Sequence, residues 1–333
     1  MSTNKQKKIL VTGGAGYIGS HACKAIAKAG YLPIACDNLI NGNSWSVKWG
    51  PLEKGDILNK SWIDNLIKLY KPVAIFHFAA YASVAESVIN PSKYYENNFI
   101  GTLNLLDSMK SNSINYLVFS STCAIYGIPN TLPIGEDASK FPINPYGASK
   151  LMIERMLEDF SNAYGIRTIS LRYFNAAGAD LDNEIGEIQS PETHLIPIAI
   201  RAAQKGLVLP IYGNNYDTHD GTAIRDYIHV SDLADAHVLA LKYLQHGEVN
   251  KKINLGTGKG YSVREVVREI EKISGTKIII KEEPKRAGDP ACLVADSSIA
   301  KQELEWQPKN SDLSTIITTA WNWHKHYNKI NKI

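Results

Sequence analysis

The segment Ile9-Leu10-Val11-Thr12-Gly13-Gly14-Ala15-Gly16-Tyr17-Ile18-Gly19 constrains the fold more than any other stretch of the chain. Its apolar start reads as a parallel strand buried on both faces, and residues 20–29, ending at Gly30, read as the helix that follows. Between them the glycines satisfy G-x-G-x-x-G (Gly14, Gly16, Gly19) and also a second spacing through Gly13. That pattern serves a tight turn, close backbone approach to a phosphate and close packing of helix on strand. The helix N-terminus then offers free N–H groups and a positive dipole end to an anion. A second apolar strand, Leu32-Pro33-Ile34-Ala35-Cys36, ends at Asp37, 18 residues after Gly19, where a carboxylate accepts from adenosine ribose hydroxyls. Residues 38–47 contain no Arg or Lys to welcome a 2′-phosphate, so NAD is expected in preference to NADP. A glycine turn with an unrelated acid is the bland alternative, and the strand and helix on either side disfavour it.

Strand-like and helix-like segments alternate through the first half. Residues 73–78, 116–121 and 168–172 are apolar strands, and residues 97–110 and 145–164 are helices. This alternation predicts an α/β fold, a doubly wound parallel (Rossmann) sheet with ligands at the carboxyl ends of its strands. After Arg172 a polar, glycine-containing loop (176–192) leads into short strands mixed with helices at 195–204, 231–244 and 262–274. The expectation is an NAD-binding domain over 1–175 and a second, smaller α/β substrate domain over 176–333, some of whose segments return to the sheet. The length of 333 residues suits two lobes.

A second motif, Tyr146-Gly147-Ala148-Ser149-Lys150, opens the predicted helix at 145–164. Asn144 suits an N-cap and Pro145 a first helical position, so Tyr146 falls in the first turn with Lys150 one turn on, on the same face. A phenol of pKa about 10 must fall by about three units, or about 4 kcal/mol, to act as a base near neutrality. One cation ~4 Å away at an effective dielectric of ~20 supplies about that much. Alone, this spacing is more often an amphipathic helix with a solvated Lys. Paired with the glycine turn upstream and Ser121-Thr122 at a strand end, it reads as proton handling at an alcohol, Tyr146 as base, Lys150 lowering its pKa and Thr122 assisting.

Bulk properties exclude several classes. A formal net charge of +3 with no basic block argues against nucleic acid as a partner, and the Lys5, Lys7, Lys8 group reads as a solvated tail. No apolar run reaches membrane-spanning length and no secretory leader is visible. Four scattered cysteines without C-x-x-C spacing read as buried apolar residues in a reducing, cytoplasmic setting. Nine histidines include no H-E-x-x-H, and no metal is expected.

Thr12 to His21, Ser120-Ser121-Thr122-Cys123-Ala124-Ile125-Tyr126-Gly127, Tyr146 to Lys150 and Arg172-Tyr173-Phe174-Asn175 resemble the extended short-chain dehydrogenase/reductase family. The likeness to its UDP-hexose-epimerising members continues through Gly221-Thr222-Ala223-Ile224-Arg225-Asp226-Tyr227-Ile228-His229-Val230, Asn254-Leu255-Gly256-Thr257-Gly258 and Arg286-Ala287-Gly288-Asp289. It implies interconversion of UDP-galactose and UDP-glucose: tightly held NAD+ accepts hydride from C4, the 4-keto sugar turns over, and hydride returns to its other face. The cofactor residues it implies are Gly13, Gly16, Tyr17, Ile18, Asp37, Asn38, Asp56, Ile57, Phe78, Ala79, Ala80, Asn97, Tyr146, Lys150 and Tyr173. On the substrate side it implies Thr122, Tyr146, Asn175, His194, Leu195, Ile211, Tyr212, Arg225, Arg286, Asp289 and Leu293, and it implies a homodimer joined through the helices at 97–110 and 145–164. Arg225 and Arg286 suit a diphosphate on their own chemistry, since guanidinium forks match its oxygens.

Four positions depart from the family pattern. Thr122 stands where some members carry Ser; Ala82 replaces a Lys near the cofactor; His194 replaces an Asn at the nucleotide site. Leu293 occupies a size gate where Tyr favours plain hexoses and small residues admit N-acetyl sugars. Three rival readings remain in view. A nucleotide-sugar 4,6-dehydratase would carry an Asp-Glu pair directly after Thr122, where this chain has Cys123-Ala124. An enzyme acting on UDP-glucuronate would add a cation for the C6 carboxylate. A non-catalytic dinucleotide sensor would not need the Tyr/Lys pair.

Overall fold

The computed structural model describes residues 6–247, 250–286 and 289–331. Six strands from the first half, β1 (Lys8–Thr12), β2 (Leu32–Asp37), β3 (Leu52–Lys54), β4 (Ala74–His77), β5 (Tyr116–Thr122) and β6 (Arg167–Tyr173), are joined by Lys251–Leu255 in one seven-stranded parallel sheet. Their order across the sheet is Lys251–Leu255, β6, β5, β4, β1, β2, β3. The chain therefore steps from β1 to β2 on one side and later to β4 on the other. The reversal leaves a crevice above the carboxyl end of β1, which is where the glycine turn lies.

The strands are buried on both faces because helices cover both. On one face α1 (Tyr17–Lys28) and the Val230–Gln245 helix pack Ile26, Leu233 and Leu241 onto Val11, Phe76 and Ile169. On the other, α2 (Lys60–Tyr70) and the helices Gly101–Ser111 and Pro145–Tyr164 pack Leu66, Leu105 and Ile153 onto Leu10, Ile75 and Phe119. The helix expected at 20–29 begins at Tyr17, because Gly16 takes the N-cap. The helix expected at 97–110 is divided: Tyr95–Ile100 is a π-helical turn, and α-helical geometry starts at Gly101.

Beyond Tyr173 the chain builds a second layer at the strand ends. Ile224–His229 is its central strand, paired with Gly260–Ser262, Cys292–Leu293 and Asn175–Ala177. Val208–Tyr212 pairs in parallel with Ile279–Glu283. The helices Leu195–Lys205, Val263–Ser274 and Leu313–Asn331 enclose a separate apolar core around Ile200, Ile270 and Ile316. Between these segments the chain returns to the main sheet, through the Val230–Gln245 helix and the Lys251–Leu255 strand beside β6. Among the described residues no helix is long and apolar enough to cross a membrane.

Candidate active site

Gly13 turns the chain out of β1 with φ +72, and a side chain there would lie 2.6 Å from the Ala79 nitrogen. Gly19 lies against the same turn: a Cβ would come within 2.1 Å of the Gly13 carbonyl oxygen. The glycines thus let α1 start directly against the strand end, and no side chain caps its first N–H groups. Asp37, at the end of β2, accepts from the N–H of Ala15 at 3.0 Å and of Leu39 at 2.8 Å. Burial raises its pKa while those two N–H groups hold it down. Asn38 donates to the Asp56 carboxylate at 2.9 Å, which fixes the next loop beside it.

Gly13, Gly16, Asp37, Asn38, Ile57, Phe78, Ala79, Ala80 and Asn97 line one cleft over this switch point. Asp56 and Asn97 also line the adjoining hollow under Tyr81 and Lys93. An uncapped helix N-terminus beside a Gly-walled turn, with a carboxylate at the neighbouring strand end, fits a dinucleotide. Tyr17 is used differently from a simple contact residue. Its hydroxyl donates to the Gly178 carbonyl at 2.7 Å and ties α1 to the loop after β6. Ile18 packs beside it on the core.

The proton-handling residues converge at the ends of β5 and β6. Asn144 Oδ1 accepts from the Gly147 N–H at 2.8 Å and Pro145 occupies the first turn, so Tyr146 is held there. Thr122 ends β5 next to it, its hydroxyl accepting from the Ala124 N–H at 3.1 Å. Lys150 Nζ donates to the Ser120 carbonyl at 2.8 Å and lies 4.8 Å above the Phe119 ring. Tyr173, at the end of β6, hydrogen-bonds through its hydroxyl to Ser120 Oγ.

The electrostatics differ from the expectation that Lys150 holds Tyr146 low. Burial pushes the Tyr146 phenol up to about 12, with the Thr122 hydroxyl opposing, and pushes Lys150 down to about 7, with Glu154 opposing. The reason is that both groups are enclosed, and the ammonium is aimed at a backbone carbonyl. In the ligand-free protein both members of the pair are biased toward neutrality.

Two residues around the site, Asn98 and His77, have no short-range sequence signal. Asn98, in the π turn, accepts from the Tyr81 N–H at 2.9 Å, donates to the Tyr81 carbonyl at 3.0 Å and donates to Ser149 Oγ at 3.2 Å. His77 lies between the hydroxyls of Thr12 (2.6 Å) and Thr102 (2.8 Å), and burial pushes its pKa down to about 3. Glu154 pairs with Arg172, both 1% exposed, and accepts from Ser121. For Glu154 a signal existed: it continues the Tyr146, Lys150 spacing along the helix.

On the other side of the cleft, Asn175 begins a strand on Tyr227 immediately after β6. His194 is the N-cap residue and Leu195 the first residue of the Leu195–Lys205 helix. Glu187 beside His194 overcomes burial and raises its pKa to about 9. Arg225 forms an ion pair with Asp289, and the Arg286 guanidinium lies 4.0 Å from the centre of the Tyr212 ring. Leu293 pairs in register with Arg225 and packs with Cys123, Tyr126 and Phe174. Ile211 is 1% exposed within the second core, which leaves its backbone as the part open to a ligand. Ala287 and Gly288 of the Arg286–Asp289 motif, and Lys5 of the N-terminal basic group, lie outside the described residues.

Among the described residues, two groups of potential ligands have metal-like spacing, Glu187, Glu192 and His194, and Asp180, Asp182 and Glu184. Each carries a cation of the protein's own: His194 pairs with Glu187, and Lys24 Nζ lies 2.7–2.8 Å from all three acids of the second group.

Residues 9–256 match the model of the NAD dependent epimerase/dehydratase family. The UDP-glucose 4-epimerase of Rhizobium meliloti (strain 1021) is 49% identical over 328 residues, 98% of this chain and 99% of that protein. The crystal structure of UDP-glucose 4-epimerase from Brucella ovis in complex with NAD has a TM-score of 0.92 and 50% identity, covering 95% of this chain and 97% of that one. That of the Bifidobacterium longum enzyme in complex with NAD+ and UDP has a TM-score of 0.90 and 36% identity, covering 96% and 98%. A glycine turn at the sheet's switch point, a Tyr/Lys pair at the strand ends and full-length relatives at this identity lead to one conclusion: the chain belongs to the NAD dependent epimerase/dehydratase family.

Proposed function

We propose that the chain interconverts UDP-galactose and UDP-glucose by transient oxidation of the sugar at C4. The observation that carries this reading is the meeting of Tyr146, Thr122 and Lys150 at the ends of β5 and β6, beside the cleft at the switch point, in a chain 49% identical to a UDP-glucose 4-epimerase over nearly its full length. Bound NAD supplies a reversible two-electron acceptor. The uncapped start of α1 and the Asp37 carboxylate hold its diphosphate and ribose. Tyr146 Oη takes the C4 hydroxyl proton in the first half-reaction and gives it back in the second, so no proton is consumed overall. Thr122 aligns the sugar oxygen with that phenol. Lys150 stabilises the phenolate when it forms.

Arg225 and Arg286 grip the diphosphate, Arg225 with the N–H groups left free by Asp289 and the Ile224 carbonyl. Asn175, His194, Leu195, Tyr212 and the Ile211 backbone hold the uridine side. Because the grip is on the nucleotide, the sugar is free to turn over and present its other face. Leu293 forms part of the wall against which it turns. A dehydratase reading is disfavoured by Cys123, whose thiol burial pushes up to about 12, leaving no acid or base next to Thr122.

The test is turnover of UDP-galactose to UDP-glucose by purified protein without added nucleotide, in parallel with Tyr146→Phe. Turnover abolished by the substitution supports the reading. Absence of turnover, even with NAD added, overturns it and favours UDP-glucuronate or a sensor, the latter told apart by whether any UDP-sugar produces bound NADH absorbance.

A further inference from the structure

Glu154 has no part in the mechanism above, yet its surroundings are built with care. It lies one turn beyond Lys150 and two beyond Tyr146 on the Pro145–Tyr164 helix, so the three side chains share a face. Both carboxylate oxygens are engaged. Ser121 Oγ donates to one at 2.6 Å, Arg172 Nε donates to the same oxygen at 2.9 Å, and Arg172 Nη2 donates to the other at 2.6 Å. Arg172 Nη1 continues to the Tyr126 hydroxyl at 2.8 Å and the Glu136 carbonyl at 3.2 Å. The helix carrying Tyr146 and Lys150 is thereby braced to β6 and to the end of β5, where Ser120 receives Lys150 and Thr122 stands beside Tyr146.

We propose that Glu154 is a positioning residue that, in the holoenzyme, biases the one proton shared by Tyr146 and Lys150 toward the lysine, through its charge and through the Ser121–Arg172 brace. The inference rests on the reading of Tyr146 and Lys150 as the proton-handling pair. A neutral phenol with a neutral amine contains as many protons as a phenolate with an ammonium, so pH does not choose between them. The surrounding field chooses. Burial opposes both charges, and a carboxylate nearer the lysine stabilises the ammonium more than it destabilises the phenolate.

The other groups facing the pair do not supply this bias. From β4, His77 is held neutral between two threonines. From β5 come the Ser120 carbonyl and the Phe119 ring. From β6, Tyr173 is bonded to Ser120 and Arg172 is committed to Glu154. Cys123 faces Tyr146, the Tyr94 ring meets it edge-on at 6.5 Å with its hydroxyl donating to Glu86, and Glu136 and Lys140 lie near Arg172. Glu154 is the carboxylate that opposes burial at Lys150.

The experiment compares holoenzyme carrying Glu154→Gln, Ser121→Ala and the double change Glu154→Gln with Arg172→Met, following kcat and KM for UDP-galactose against pH. Glu154→Gln keeps the shape and removes the charge. It is expected to lower plateau kcat about ten-fold with KM unchanged. It is also expected to move the acid limb of kcat to lower pH, because the doubly protonated pair then releases its first proton more readily. Ser121→Ala removes one strut without charge and should leave that limb in place. The double variant returns the core to neutrality, so it tests the charge even where Glu154→Gln does not fold, and it should keep both the lowered plateau and the shifted limb. An unshifted limb in the folded variants, or a plateau equal to the parent's, overturns the inference. A parent inactive on UDP-galactose instead overturns the proposed epimerase activity on which the inference rests.

Discussion

Tyr146 is enclosed, and its phenol is pushed up to about 12 in the ligand-free protein, so the catalytic competence proposed for it depends on Thr122, Lys150 and a bound cationic ring. Tyr146→Phe is expected to lower kcat by about 10²–10⁴ with little change in KM, measured by the coupled formation of UDP-glucose. Thr122→Ser should retain most activity and Thr122→Val should lose about ten-fold or more, since only the first keeps the hydroxyl. At Leu293, which packs against Tyr126 and Phe174, Leu293→Tyr is expected to lower kcat/KM for UDP-N-acetylgalactosamine at least ten-fold relative to UDP-galactose. An unchanged ratio would remove the residue from the specificity wall. Gly13 to Gly19, Asp37 after its strand, and Tyr146 and Lys150 one turn apart were legible from local spacing, Leu293 only through the family resemblance. The partner of Lys150 was not. It is the Ser120 carbonyl, and a backbone acceptor leaves no trace in residue type.

Among the elements, the π turn Tyr95–Ile100 has the clearest consequence. It swings Asn98 inward, 1% exposed, where its amide satisfies both backbone groups of Tyr81 and reaches Ser149 on the Tyr146 helix. Asn98→Ala would leave those groups unpaired and is expected to destabilise the protein by about 1–3 kcal/mol. Because Tyr81 and Asn97 border the cleft, it should also weaken NAD binding. Urea unfolding and cofactor titration measure the two effects. The helix itself was legible from its periodicity, but the one-residue slip of a π turn hardly alters an apolar pattern. A helix end given by chemistry fared better: Asn144 and Pro145 begin the Pro145–Tyr164 helix where expected. Arg172 and Glu154 met only through the register of β5 and β6, which sequence distance hides.

For the molecule as a whole, five of the described histidines are biased toward the neutral state by burial: His21, His77, His229 and His237 in the core and His324 half-buried. Burial lowers His77 to about 3 and His21, His237 and His324 to about 4. His21 and His237 each bond a helix carbonyl through Nδ1 and leave Nε2 without a partner, so a second proton would have no acceptor. Their folded pKa values lie below the unfolded value near 6.5, so stability from these groups is present above 6.5 and is lost as pH falls toward 4. Each costs about 1.4 kcal/mol per pH unit in that window. His194 works in the opposite sense: its pKa near 9 gives stability below 6.5 that is lost between 6.5 and 9, a smaller effect because the side chain is half-exposed. Urea midpoints should therefore peak near neutrality, fall steeply by pH 5 and fall gently by pH 9. A flat profile would contradict this. The homodimer remains a proposal. Met152 is 43% exposed on the Pro145–Tyr164 helix, and Met152→Glu is expected to convert a dimer to monomers in sedimentation, leaving the parent dimeric.

The return of the chain to the main sheet bears on how the protein comes apart. Because Lys251–Leu255 completes the sheet from between two stretches of the second layer, no single cleavage among the described residues yields two pieces that each own a complete core. A nick in the loop after Ala177 would leave the fragments interlocked, co-migrating until denatured. During synthesis, the first 250 residues would wait with the β6 edge uncovered. Until that last ribbon arrives, the half-made enzyme is a molecule with an open seam.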